Sequence, residues 1–468
     1  MIPHLKPYPA YKDPGVPWLG EVPGHWEVLP ALAAYRPRQV KNTGMIEKTV
    51  LSLSYGRIIV KSPEKLRGLV PESFETYQIV DPGNIIVRTT DLQNDKTSLR
   101  IGHSPYRGII TSAYLCLETT TRVSNAFGYQ FLNAYDLLKI IYGFGSGLRQ
   151  NLDFGDIKRM PILVPPLAEQ AAIVRYLDYM DRRIRRYIRA KQKLITLLEE
   201  QKQAIIHHAV TRGLDPNVRL KPSGVEWLGD VPEHWEVTPN RAHLRIRKQL
   251  VGGRHSEYQL LSLTKRGVII RDLSENKGKF SSDMGTSQTV RTGDLVFCLF
   301  DVPETPRTVG LSSHAGMITG AYTVMECADQ KIARFLEVFY IAMDDRKLLS
   351  PLYSGLRNTI RKERFLGTKT PVPPPDERDA ILEYMKRETI GLDEAMDRTA
   401  REITLLREYR TRLIADVVTG KLDVREAAAR LPDEAGEFES LDDTDEPIGD
   451  AEDEAVDDLD AIPEEVEA

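Results

Sequence analysis

Over the first 150 or so residues, apolar positions fall in short β-branched runs, among them RIIV at 57–60 and NIIVRTT at 84–90, set between clusters of Gly, Pro, Asp and Asn. Short β-branched runs bounded by turn formers predict strands. One stretch, AFGYQFLNAYDLLKIIYGF at 126–144, has helical spacing instead, so this part of the chain predicts a compact α+β domain. After Pro165-Pro166 the texture changes. Ile173, Leu177, Met180, Ile184, Tyr187, Leu194, Leu198 and Ile205 form an apolar stripe at steps of four and three, interrupted by Lys191 and Gln201. After Pro373-Pro374-Pro375, a stripe of the same kind runs through Leu382, Met385, Leu392, Met396, Ile403, Leu406 and Leu413. Proline is tolerated where a helix begins, and each stripe outlasts the surface of one small domain. Two long helices sharing a coiled-coil seam are predicted, ending at AVTRGLD and VVTGKLDV, where a glycine can take the left-handed turn.

The pattern occurs twice. WLGEVPGHWEV at 18–28 returns as WLGDVPEHWEV at 227–237, identical at nine of eleven positions. LSLSYGRIIV from Leu51 aligns with LSLTKRGVII from Leu261, GNIIV from Gly83 with GDLVF from Gly293, and TSAY from Thr111 with TGAY from Thr319. SGLRQNL from Ser146 pairs with SGLRNTI from Ser354, VPPLAEQ from Val164 with VPPPDER from Val372, and ITLLEE from Ile195 with ITLLRE from Ile403. The offsets run from 208 to 210, so one unit of domain plus helix is used twice. What the copies share must serve a task common to both, and what differs is free to diverge. The tryptophans Trp18, Trp26, Trp227 and Trp235 read as apolar anchors, with His25 and His234 in a local polar contact.

With 468 residues, 41% hydrophobic and 28% charged, the chain has the size and composition of two or three globular domains. No apolar run is long enough to span a bilayer and the amino terminus lacks a signal core, so a cytoplasmic location is expected. Cys116, Cys298 and Cys327 have no metal-site spacing and are expected to be reduced and buried. The net charge of −5 conceals an asymmetry: residues 431–468 hold 18 acidic and no basic residues, leaving an excess of 13 positive charges on the rest. A basic body suits a polyphosphate partner, and the acidic tail is expected to be disordered.

Motifs for catalysis are missing. VPPL and VPPP lack the polar residue and the aromatic of an N/D-P-P-Y/F methyltransferase loop, and there is no Gly-rich cofactor loop and no phosphate-gripping G-x-x-x-x-G-K-S/T. ERDAILEYMK after Asp376 does not continue into a D/E-x-K nuclease site. Such chemistry requires these groups, so no catalytic and no metal-binding residue is assigned.

The paired tryptophan motifs, the VPP lead into each helix, the SGLR loop and the closing TGKLDVR resemble the DNA-specificity subunit of a Type I restriction-modification system over nearly all of residues 8–426. The acidic tail after Arg425 departs from that pattern. The resemblance implies two target recognition domains, at 1–165 and 213–373, each reading half of a bipartite site in double-stranded DNA. It implies a central helix at 166–212 and a C-terminal helix at 374–420, packed antiparallel, with pseudo-twofold symmetry. It implies as partners two methyltransferase subunits and restriction/translocase subunits, which would hold the S-adenosylmethionine, ATP and Mg, while this chain binds no cofactor. The alternative is a two-domain protein-binding scaffold that does not read DNA. Loop residues able to make paired hydrogen bonds are the candidate DNA contacts: Arg57, Lys61, Arg67, Arg88, Arg100, Arg107, Arg149 and Gln150 in the first copy, and Lys265, Arg266, Arg271, Lys277, Arg307, Arg357, Asn358 and Arg361 in the second. Arg149 and Arg357, in the shared SGLR loop, are expected on the DNA backbone.

Overall fold

The computed structural model describes residues 5–16, 18–62, 73–90, 92, 99–144, 152–271, 284–305 and 307–432. Arg67, Arg149, Gln150 and Lys277, and the acidic tail from residue 433, lie outside the described residues. The chain divides into two compact units, residues 1–189 with 403–468 (unit 1) and residues 190–402 (unit 2). Both crossings fall inside long helices rather than at the prolines, because each half of a helix lays its apolar stripe on a different core. Ile173, Tyr176, Leu177, Leu413 and Val417 belong to the core of unit 1, and Ala209, Val210, Ile381 and Met385 to that of unit 2.

Each unit is built on a four-stranded antiparallel sheet. Its spatial order in unit 1 is Tyr35–Pro37, Leu115–Thr119, Ile85–Val87, Ile101–His103, and in unit 2 Leu244–Ile246, Thr323–Cys327, Leu295–Phe297, Val309–Leu311. The registers repeat as well: Leu115 faces Val87 as Thr323 faces Phe297. Alternate side chains leave opposite faces of a strand, and the central strand shows this in both copies. Ile85 and Val87 enter one cluster while Ile86 enters another; Leu295 and Phe297 enter one while Val296 enters another. Burial on both faces explains why these strands read as unbroken apolar runs.

In unit 1 the helices are α1 (Asn125–Leu137), α2 (Phe154–Ile157), the first part of α3 (Leu167–Arg212), the last part of α6 (Pro375–Val418), and α7 (Arg425–Ala429). Unit 2 holds α4 (Gln330–Asp345), α5 (Lys362–Gly367) and the remaining parts of α3 and α6. The predicted helix at 126–144 ends early because Lys139 takes φ of +58°, and a 3-10 turn follows at Ile140–Phe144. The sequence pattern did not indicate α7.

The shared motifs meet at the first turn of each long helix. In unit 1 the Glu169 carboxylate accepts from Tyr8 Oη at 2.6 Å and Trp26 Nε1 at 2.9 Å, and contacts His25 Nε2 at 2.8 Å. In unit 2 Glu377 meets His234 at 2.6 Å, while the Trp235 indole N–H is buried without a partner. One residue further on, Gln170 accepts from Ser124 N at 2.9 Å, Ser124 being the N-cap of α1, and Arg378 pairs at 3.3 Å with Asp329, the N-cap of α4. The glutamate and the residue after it in VPPLAEQ and VPPPDER therefore fasten each helix to its domain. Trp26 and Trp235 are fully buried anchors, whereas Trp18 is 49% exposed, seated edge-on against Phe144. The helix ends close the same joint. Gly213 (φ +74°) sits against the Glu377 carboxylate, and Gly420 (φ +80°) leaves no room for a Cβ against Pro23.

Within each unit, α3 and α6 run antiparallel. Arg410 pairs with Asp181 in unit 1, and Lys191 with Glu402 and Lys202 with Asp393 in unit 2. Of the expected seam, Ile173, Leu177, Met180, Ile184, Met385 and Ile403 are buried, and Leu198, Leu382, Leu392, Met396 and Leu406 are half-buried. Leu194 is a correction, being 43% exposed, with Ile195 turned inward in its place. A helix of 3.6 residues per turn drifts against a strict heptad. The stripe takes two consecutive steps of four, from Met180 through Ile184 to the buried Ile188, so that Ile188 and the half-buried Ile195 take the places expected of Tyr187 and Leu194, while Leu198 keeps its own.

Candidate nucleic-acid interface

The two units differ in how they finish their projecting hairpins. In unit 1, Leu51–Ser54 pairs with Arg57–Val60, leaving Tyr55-Gly56 as a two-residue tip with φ of +46° and +74°. Two consecutive positive φ values make the tight turn that suits strand twist. In unit 2, Leu261–Thr264 pairs with Gly267–Ile270, the tip is Lys265-Arg266, and only Gly267 has positive φ, +93°. Moving the glycine one place along presents two cations at the tip where unit 1 presents a tyrosine and a glycine.

Five candidates are exposed cations with no ion pair among the described residues: Arg57, Lys61, Lys265, Arg266 and Arg361. Three are exposed or half-exposed but engaged. Arg107 holds Asp81 at 2.5 Å and Glu47 at 3.5 Å, Arg307 holds Asp345 at 3.1 Å, and Arg357 grips both oxygens of Asp301. The Arg357 guanidinium keeps the Asp301 carboxyl below its usual pKa. Arg88, Arg271 and Asn358 are half-buried.

Arg100 must be withdrawn as a DNA contact. It is fully buried, its guanidinium donating to Thr90 O at 2.7 Å and Tyr142 Oη at 2.9 Å, and its backbone N–H to Asp136 at 2.6 Å. A buried charge with this many acceptors is holding the fold. The equivalent carboxylate, Asp344, accepts from the backbone N–H of Thr308 at 3.1 Å, so the arginine is replaced in unit 2 while the joint persists.

Unit 2 gathers its candidates at one end of the central sheet. Cys298 N–H donates to Thr308 O at 2.8 Å, where the two strands part, and the chain continues on one side to Phe300 and Asp301. On the other side Arg307 reaches the Lys265 carbonyl at 3.4 Å, bringing in the hairpin tip. The SGLR loop joins through Ile360 N–H to Leu299 O at 2.8 Å, with Arg357 stacked 5.7 Å from the Phe300 ring and Tyr322 edge-on to the same ring. Cations, amides and aromatic faces in one place are what a nucleic acid requires of its partner. Among the described residues no three His, Cys, Asp or Glu side chains converge on a metal site. Cys116, Cys298 and Cys327 are buried, burial pushing the Cys116 thiol up to about 12 and that of Cys298 up to about 11. No helix is long and apolar enough to cross a membrane among the described residues.

Residues 39–196 match the family described as the Type I restriction modification DNA specificity domain. The sequence is similar to that of Type I specificity subunits. A putative type I restriction enzyme MjaX specificity subunit from Methanocaldococcus jannaschii is 21% identical over 276 residues, 58% of this chain. The match spans 61% of that relative's length. A chain from a solved type I R-M system, described in terms of complex assembly and conformational transition, aligns over 86% of this chain and 99% of its own at 13% identity, with a TM-score of 0.60. It shares the fold. The HsdS subunit from Thermoanaerobacter tengcongensis aligns over 86% of this chain and 98% of its own at 12% identity, with a TM-score of 0.44.

Proposed function

We propose that the chain is the non-catalytic specificity subunit of a Type I restriction-modification complex, each unit reading one half of a bipartite duplex DNA target. The observation that carries this reading is a frame built twice, with identical strand order and register, that ends in different sets of exposed cations without an ion pair among the described residues. Identical frames suit identical methyltransferase partners, and different tips suit different half-sites. Base discrimination falls to Arg57 and Lys61 in unit 1 and to Lys265, Arg266 and Arg361 in unit 2. Arg307 and Arg357, already committed to carboxylates, serve as positioning groups unless phosphate displaces those partners. Methyl transfer, ATP hydrolysis and cleavage belong to partner subunits, which supply S-adenosylmethionine, ATP and Mg.

The test is methylation-site mapping in cells that carry this chain with its methyltransferase subunit, repeated with matched four-residue insertions in α3 near Lys191 and in α6 near Glu402. The chain passes between the units inside those two helices. Each insertion adds about 6 Å of helix, so the spacer should grow by one or two base pairs at about 3.4 Å each while both half-sites stay the same. Altered half-sites with the old spacer would sink the reading, as would affinity for duplex DNA that ignores salt, the behaviour of a protein-binding scaffold.

A further inference from the structure

The SGLR loop of unit 2 carries a side chain that nothing in the fold uses. Ser354 and Thr359 close it with backbone hydrogen bonds of 2.9 and 3.0 Å, and Ser354 Oγ adds a third to Thr359 O at 2.8 Å. On one flank Asp301 N–H donates to Arg357 O at 2.9 Å, and Arg357 is clamped by Asp301 and Phe300. Gly355 has φ of +72° and Asn358 of +42°. Asparagine and glycine adopt this left-handed turn readily, and the closing hydrogen bonds together with the Arg357 clamp pin the loop in shape. Its tip is Leu356, with a relative exposure of 105%. Among the described residues the next most open large hydrophobic side chain, Ile46, stands at 72%.

We propose that Leu356 is a wedge that enters the base stack of the bound duplex beside the half-site read by unit 2, a reading that rests on the function proposed above. The occupant is identified by chemistry. Leu356 is flanked within the loop by Gly355, Arg357 and Asn358, so it offers no apolar patch of the kind a protein interface centres on. The free cations Lys265 and Arg266 sit on the hairpin attached to this same end of the sheet, and Arg361 follows the loop directly. A rigid apolar tip on a loop followed by an exposed arginine matches a polyphosphate with an apolar interior, and inserted aliphatic side chains are a known way to part stacked base pairs. The loop's rigidity means that ordering it costs little when it binds.

The experiment compares wild type, Leu356→Ala and Leu356→Met, each assembled with the methyltransferase subunits, on duplexes carrying the mapped target. A second duplex series places a single mismatch at successive steps across and beside the second half-site. Leu356→Ala should weaken binding to the perfect duplex about tenfold, and Leu356→Met less than about threefold. At the step that is wedged, a mismatch has already unstacked the bases, so the alanine variant should recover to within about threefold of wild type. Its melting temperature should be unchanged, since the side chain packs on nothing. Equal binding by alanine variant and wild type overturns the proposal, as does a loss that no mismatch rescues, which marks a groove contact. Loss of the methyltransferase subunits from the alanine variant without DNA overturns it in favour of a protein contact. If wild type itself shows no preference for the mapped duplex, the function proposed above has failed instead.

Discussion

Unit 1 and unit 2 share sheet order, strand register and the joint between tryptophan motif and helix, yet their sheet ends have little in common. The first turn of α3 is held by a glutamate with three partners, Tyr8, Trp26 and His25, whereas the equivalent glutamate in α6 has His234 and leaves the Trp235 N–H unpaired. Arg100 in the core of unit 1 has Thr308 as its equivalent in unit 2. At the surface the divergence is larger, with a Tyr55-Gly56 tip against Lys265-Arg266. The contrast teaches that duplication has preserved backbone geometry while tolerating changes in what satisfies it.

The largest difference in stability between the two units is expected at the joint. Glu169→Ala strands the buried indole N–H of Trp26 and the hydroxyl of Tyr8, each unsatisfied group costing about 1–3 kcal/mol, so a total loss of about 3 kcal/mol is expected. Glu377→Ala, which removes a 26% exposed carboxylate with one partner, should cost about 1 kcal/mol or less. Denaturant unfolding followed by tryptophan fluorescence measures both, and equal losses would mean that the two joints are equivalent after all.

Next comes the seam. Ile188→Ala should destabilise by about 2 kcal/mol as a buried aliphatic truncation, and Leu194→Ala by under about 0.5 kcal/mol as a surface change. The reverse order, in the same unfolding assay, would restore the strict heptad.

The smallest effect is the sharpest in meaning. Arg266→Ala should weaken binding by about 1–2 kcal/mol and relax preference at one position of the second half-site, leaving the first half-site untouched. Methylation mapping reads the outcome, and a uniform loss across all sequences with a shallower salt slope would make Arg266 a phosphate contact.

The sequence made the frame legible because repetition shows twice what must be kept. WLGxVPxHWEV and VPPxxE(Q/R) are visible as strings, and they form the joint in the structure. The recognition end was legible only as a set of residue types. Arg100 and Arg57 look alike in a loop-rich sequence, and only the fold shows that one donates to buried carbonyls while the other faces solvent. Leu356 is illegible in the sequence for the opposite reason, since hydrogen-bonding capacity marks a base-reading residue and a leucine has none. The seam was misread at Leu194 because leucine and isoleucine sit side by side at 194 and 195, where apolar pattern cannot decide the phase.

The closure of α6 on the amino-terminal motif, through Gly420 against Pro23 and Asp423 N–H to Lys6 O at 2.8 Å, has a consequence for the order of synthesis. Unit 2 is one continuous stretch of chain, complete when residue 402 has been made. Unit 1, although its sheet and Trp26 are translated first, lacks Leu413, Val417 and Val424 of its core until the last helix has left the ribosome. Chains emerge at about 5–20 residues per second, so the earlier domain waits tens of seconds for its final wall while the later one is free to fold at once. The domain begun first is finished last, and a nascent chain stalled beyond residue 402 would carry a finished second unit behind an open first one.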